Sequence, residues 1–233
     1  MKPILSVCSI LAFATCSFGA TIVTAGGSPA IPTLPNGLVT SIAGATTIDF
    51  TAGTLTVPTY TEDGVVYSLL GSGSIRNTSA GFCAQPPADN TNYLCVGPNG
   101  ATGSPVEANF PTLINYFGFY AGSVDTYNTL EFYNGSTLKF SLTGSHIATR
   151  AGIAADGNQG VGVYINIFAT TVADQFNRIR FISTSNALET DNHAFALLDD
   201  SVIPTVDGAI PEPGTLLTLI PAVAFLYFRR KRA

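Results

Sequence analysis

Leu130-Glu131-Phe132-Tyr133-Asn134-Gly135-Ser136-Thr137-Leu138-Lys139-Phe140-Ser141-Leu142 reads as two short strands joined by a turn. Leu130 and Phe132 alternate with Thr129, Glu131 and Tyr133, and Leu138, Phe140 and Leu142 alternate with Thr137, Lys139 and Ser141. A period of two with aromatic and aliphatic residues is the signature of a strand buried on one face. Asn134-Gly135 between the two runs is the strongest short hairpin signal in the chain. The same alternation recurs downstream. Val161, Val163, Ile165 and Ile167 alternate with Gly162, Tyr164, Asn166 and Phe168, and Ile179 and Phe181 alternate with Arg178 and Arg180. Residues 46–50, 65–70, 116–120 and 194–198 are further strand candidates. No stretch between the two ends of the chain keeps a helical stripe over three turns. Eight to ten short strands without an internal repeat predict an all-β fold, an antiparallel β-sandwich of jelly-roll type over residues 45–205.

Composition agrees with a packed domain. The 233 residues are 46% hydrophobic and only 11% charged, which excludes a disordered chain and a coiled coil. Basic residues cluster at the ends: Lys2 at the start, and Arg229, Arg230, Lys231 and Arg232 at the finish. Between them, leaving out Glu212 near the C-terminus, lie five basic residues against fourteen acidic ones, a net charge of −9. Such a body has no clustered Lys and Arg to hold a phosphate backbone, so nucleic acid is excluded as a partner. A divalent cation or a neutral or basic partner suits it.

The two ends read as addresses. Residues 1–20 carry a basic start at Lys2, an apolar run from Ile4 to Phe13, and small residues at Ser17 and Gly19, the pattern of a signal peptide cut after Gly19. Residues 20–44, rich in Thr, Pro and Gly, read as an extended entry arm. At the other end, within residues 206–233, Pro211-Glu212-Pro213 precedes an uncharged, mostly apolar run over 214–228 and the basic tail 229–232. Fifteen helical residues span about 22 Å, short of a hydrocarbon core of about 30 Å. Pro221 weakens that helix, and the tail would stay cytoplasmic. The segment therefore reads as a short membrane-holding anchor. The two prolines keep the preceding backbone extended and open to a protease.

Tripeptide, apolar helix and basic end, in that order at the terminus, resemble the PEP-CTERM sorting signal of exosortase substrates. The resemblance implies a Gram-negative source with an exopolysaccharide-rich lifestyle, signal peptidase and exosortase as export partners, and a precursor anchored transiently in the inner membrane. It also implies cutting near Pro211, Glu212 and Pro213, then release to the cell surface or matrix. Two further stretches are similar to those of exosortase-dependent surface proteins. The first is Tyr116-Phe117-Gly118-Phe119-Tyr120 with Gly122-Ser123-Val124-Asp125-Thr126-Tyr127-Asn128. The second runs from Ile179-Arg180-Phe181 through Leu188-Glu189 to Asp191-Asn192-His193. The resemblance brings no established activity, so the function it implies is that of a non-enzymatic surface or biofilm-matrix protein.

Residues 84–111, rich in Pro, Asn, Ala and Gly, read as a long surface excursion. Cys8 and Cys16 leave with the signal peptide, so Cys83 and Cys95 remain as one pair, expected as a disulfide in an exported protein.

Chemistry is sparse. There is no G-x-S-x-G elbow, no H-E-x-x-H helix and no phosphate-cradling loop. His146 reads as a turn residue at a strand end. Glu131, Glu189 and Asp191 are the acids that a glycosidase would need, and no catalytic residue is assigned among them. Glu189, Asp191 and Asn192 beside a strand, with Asp125 and Asn128 in a loop, offer oxygen ligands for Ca²⁺. Tyr116, Tyr120, Tyr127 and Tyr133 are the rings available to a carbohydrate-binding module, the alternative to a purely structural surface protein.

Overall fold

A computed structural model describes residues 21–31, 34–56, 58–69, 73–97, 105–160 and 162–205. Residues 1–20, read as a signal peptide, and residues 206–233, read as a sorting signal, fall outside the described residues. Among the described residues no helix is long and apolar enough to cross a membrane.

In chain order the strands are β1 (Thr21–Ala25), β2 (Ser28–Ile31), β3 (Leu34–Val39), β4 (Thr46–Ile48), β5 (Thr54–Thr56), β6 (Thr59–Glu62), β7 (Val65–Ser68) and β8 (Gly73–Arg76). They continue with β9 (Tyr93–Val96), β10 (Val106–Ile114), β11 (Tyr116–Ala121), β12 (Asn128–Asn134), β13 (Thr137–Thr143), β14 (Val163–Ala169), β15 (Phe176–Ser183) and β16 (Leu188–Ala196). One helix, α1 (Gly144–Ala151), follows β13.

Every pairing is antiparallel. Sheet I runs β1-β14-β11-β16-β9-β8, with β4 also on β16, and sheet II runs β13-β12-β15-β10-β7-β6-β5. Strands β2 and β3 form a separate hairpin. From β9 to β16 the chain passes back and forth between the two large sheets. Asn115 makes one such crossing, between β10 and β11. Its amide clamps Leu198 by donating to Leu198 O at 2.8 Å and accepting from Leu198 N at 2.7 Å.

The alternating residues of both sheets enter one apolar cluster. Phe117 of sheet I lies 5.9 Å from Phe181 of sheet II, ring to ring. Phe132 stacks on Phe140 at 4.4 Å within the hairpin that the sequence marks most clearly. Burying each such ring is worth roughly 1.5–3 kcal/mol. The all-β, antiparallel expectation therefore holds. In that hairpin the turn sits one residue later than expected. Asn134 pairs with Thr137, so Gly135-Ser136 are the loop residues, and Gly135 takes φ 56°.

Several sequence expectations change. The described strands outnumber the expected eight to ten, because pieces read as loop are paired by their neighbours. The entry arm is not free: β1 is a full partner of β14, and the β2–β3 hairpin lies over the outer face of sheet I. The excursion at 84–111 contains β9, buried at all four positions, and the start of β10. A four-residue strand covered on both faces shows no alternation, so periodicity misses it. His146 belongs to α1, where its backbone N–H is capped by the Thr143 hydroxyl. Residues 188–196 form one strand, so Glu189, Asp191 and Asn192 lie within it and not beside a strand that starts at residue 194. The register of β11 on β16 shifts between Gly118 and Tyr120, and Asn192 takes φ 48° at this bulge.

Candidate functional site

The outer face of sheet I is polar and yet covered. Tyr116 bonds Thr40 at 2.6 Å, Tyr120 donates to Pro87 O at 2.6 Å, and Asn166 donates to Gly26 O at 2.8 Å. Gly37, at φ +67°, lets the β2–β3 hairpin settle on the Tyr120 ring, where a Cβ would come within 2.4 Å. Tyr116 and Tyr120 are thus buried, and the aromatic platform expected of them for a glycan is not exposed. Tyr133 is half-buried on the outer face of sheet II, with the Arg178 guanidinium over its ring at 4.5 Å.

At the end of this face a cavity of about 300 Å³ opens beside the disulfide. Cys83 and Cys95 are bridged, with Cα atoms 6.1 Å apart, as expected for this pair. The bridge ties the 78–92 loop to β9 and so forms one wall. Asp125, Asp156, Gln159 and Glu189 supply the polar lining, and Tyr127 stands at the rim. The described lining has no Lys, Arg or His.

Each polar group is held by local chemistry. Asn128, at the start of β12, accepts the Asp125 N–H at 2.7 Å, while its own N–H donates to Asp125 O at 3.0 Å. Asp125 is bridged to Asp156, and its carboxylate lies against Gly157. At Gly157 φ is +69° and a Cβ would approach Asp125 Oδ1 to 2.4 Å, so a glycine is required twice over. Gln159 donates to Ser123 Oγ at 2.9 Å and to Glu189 Oε2 at 3.3 Å. The Ala84 N–H donates to Glu189 Oε1 at 2.9 Å. Burial pushes the carboxyls of both Glu189 and Asp125 above the usual carboxylate range.

The four expected calcium ligands divide. Asp125 and Glu189 line the cavity, joined by Asp156, which sequence reading passed over. Glu189 and Asp191 do share a strand face, but Asp191 lies beneath the covering loop, against Asp89. Asn192 turns its amide away and donates to Asn36 O at 2.7 Å and Leu38 O at 3.1 Å. Among the described residues no group of three or more His, Cys, Asp and Glu side chains is arranged to hold a metal ion. The three acids weighed for hydrolysis are separated as well. Glu131 sits on sheet II and pairs with Arg180 at 2.8 Å, whereas Glu189 and Asp191 are on sheet I.

Sequence reading gave no role to Asp89 or His193. Asp89 looks like an ordinary loop turn in Pro86-Pro87-Ala88-Asp89-Asn90, and a lone His carries no pattern. The Asp156-Gly157-Asn158 string was the one legible hint of a tight polar turn, with Asp156 Oδ1 accepting from Asn158 N at 3.1 Å.

No protein-family model matches this chain, nor does any characterised protein or solved structure.

Proposed function

We propose that this is an exported, non-enzymatic surface or matrix protein whose β domain is a jelly-roll sandwich, released by an exosortase at its C-terminal signal. One observation carries the reading: Pro211-Glu212-Pro213, the apolar 214–228 run and the basic 229–232 tail stand in that order at the end of the chain. A disulfide in a chain that opens on a signal-peptide pattern supports export, because such bonds persist in oxidising compartments. The sandwich reading is supported by rings from both large sheets meeting in one core and by the chain's alternation between them. The test is the intact mass of the surface form, which should lack residues 1–19 and most residues after 213. Recovery of Arg229–Arg232 peptides from that form would overturn the proposal.

A second reading, binding of a neutral polysaccharide, is favoured by the cavity, whose carboxylates, Gln159 amide and Tyr127 rim suit a hydroxyl-rich ligand. Retention on immobilised exopolysaccharide should fall in Gln159→Ala. Equal retention of variant and parent would remove the cavity from this role.

A further inference from the structure

Asn115 marks one end of both large sheets, because it follows β10 of sheet II and precedes β11 of sheet I. Its N–H donates to Ala196 O at 3.1 Å, and its carbonyl accepts from Ala169 N at 2.8 Å. The ends of β14 and β16 are tied at this level, and Thr21 of β1 pairs with Ala169 beside them. Sheet II brings the β12–β13 turn to the same end: Ile114 pairs with Phe176, and the Gly135 N–H donates to Oδ1 of the adjacent Asn177 at 2.9 Å. Both ends of the domain therefore leave from one pole. Thr21 begins there, and Ile203 packs beside Tyr116 and Phe168 just before the described residues finish at Thr205. The cavity beside the disulfide lies at the opposite pole, where β11 ends at Ala121 and β16 begins at Leu188.

The pole that carries the chain ends is also the apolar one. Of the six exposed large hydrophobic side chains among the described residues, four stand there: Val172 at 76%, Leu197 at 62%, Leu138 at 49% and Val202 at 46% exposure. Val172 lies on a short turn between β14 and β15, Leu138 beside the β12–β13 turn, and Leu197 and Val202 on the segment after β16. Exposed hydrophobic residues scattered singly are ordinary, whereas a gathering at one end from three separate segments marks a contact surface. The nearby charges are of both signs. Asp199 and Asp200 are exposed between Leu197 and Val202, and half-buried Lys139 follows Leu138.

We propose that this pole is the surface which the anchored precursor lays on the membrane, with Val172, Leu197, Val202 and Leu138 entering the headgroup layer of a zwitterionic bilayer. The proposal rests on the reading of residues 214–228 as a membrane anchor. Tether length is its first support. Six residues lead from Thr205 to Pro211, about 20 Å of fully extended chain, so an anchor after Pro213 keeps the pole close to the lipid surface. Charge is the second. A headgroup with a phosphate and a primary ammonium, such as phosphatidylethanolamine, offers partners to Lys139 and to the Asp199–Asp200 pair alike. An anionic surface repels that pair. Four apolar side chains give a weak hold on their own, and a short tether makes it effective by raising the local concentration. Cutting near Pro211, Glu212 and Pro213 removes the tether, and the pole lets go. Until then the cavity points away from the bilayer.

The chain has no Trp, so a single introduced Trp is a clean reporter. The full chain is reconstituted into vesicles of phosphatidylethanolamine and phosphatidylcholine, with and without bromine atoms high on the acyl chains. Val172→Trp and Leu197→Trp report on the pole, and Thr126→Trp, an exposed position at the cavity end, is the control. Emission from the two pole reporters should fall by about half in brominated vesicles, as expected for side chains at the headgroup boundary, while the control stays unchanged. Adding Asp199→Asn with Asp200→Asn should weaken that quenching. Flotation of the vesicles shows separately whether the chain is anchored. A chain that does not float overturns the anchor reading and this proposal with it. A chain that floats with both pole reporters unquenched overturns the proposal alone and leaves the apolar pole to a protein partner. Equal quenching of Thr126→Trp, or stronger quenching of the pole reporters in phosphatidylglycerol vesicles, overturns it as well.

Discussion

Tyr67 of sheet II and His193 of sheet I meet in the core, with the Tyr67 hydroxyl 3.0 Å from His193 Nδ1. His193 Nε2 continues the chain to the Thr190 hydroxyl at 2.8 Å. Both rings are fully buried, and Phe50, Phe117 and Phe181 surround the imidazole. A polar thread through an aromatic core is tolerated because each member has a partner.

Replacing His193 by Phe keeps ring volume and strands two hydroxyls. A loss of about 1–3 kcal/mol is expected, read from the denaturant midpoint. Adding Tyr67→Phe removes one of the stranded groups, so the double variant should regain part of the loss. If the double variant is less stable than the sum of the singles, the thread is not an independent hydrogen-bonded unit.

The Cys83–Cys95 bridge closes a loop of 12 residues' separation. In the chain-entropy view such a loop is worth on the order of 3 kcal/mol. Cys83→Ser with Cys95→Ser should lower the melting midpoint by several degrees. Peptide mapping without reductant should recover the two cysteines in one linked species. Free thiols on the purified protein would contradict this.

Gly157→Ala should distort the cavity from two directions. The residue sits at φ +69°, and a Cβ there meets the Asp125 carboxylate. A loss of about 2 kcal/mol is expected, larger than the usual cost of Ala at a left-handed position alone. Asp125→Ala in the same background relieves the clash and should recover part of it. No recovery would mean that strain at φ is the whole effect.

Glu62 provides a pH test. It is buried beside the Tyr60 hydroxyl, and burial raises its carboxyl above the usual value of 4.5. With the folded pKa above the unfolded one, its contribution is fully present below about pH 4.5 and is lost as pH rises through the folded value. The midpoint of the parent chain should therefore fall more than that of Glu62→Gln between pH 4.5 and 7. Parallel profiles would show that Glu62 has an ordinary pKa.

What the sequence conveyed follows from how each element is buried. The β12–β13 hairpin alternates because sheet II keeps one face toward water, as the ring of Phe132 inside and Tyr133 outside shows. β14 was legible at its inward positions Ile165 and Ile167, although its outward Tyr164, Asn166 and Phe168 are covered too. β9 was hidden among prolines and asparagines because the covering loop shields one face and the core the other. The cavity was half legible: Asp125 and Glu189 were singled out as oxygen donors, but Asp156 reaches them through the fold, across a bridge that no local pattern encodes. The burial of Tyr116 and Tyr120 depends on a hairpin whose composition reads as linker.

Strand β16 lies in the middle of sheet I, paired with β11 on one edge and with β9 and β4 on the other. It is also the last described strand in chain order. The partners that flank it are synthesised long before it, and β4 and β9 have no strand to lean on along that edge until it arrives. Sheet I is thus closed by a late, long-range event, of the kind that slows folding. A chain made from its N-terminus onward holds its first strands waiting, open and threadable, and locks only when residues 188–196 slide into place. Cutting the gene short of that strand should yield two incomplete half-sheets prone to pair with other chains, rather than a smaller domain.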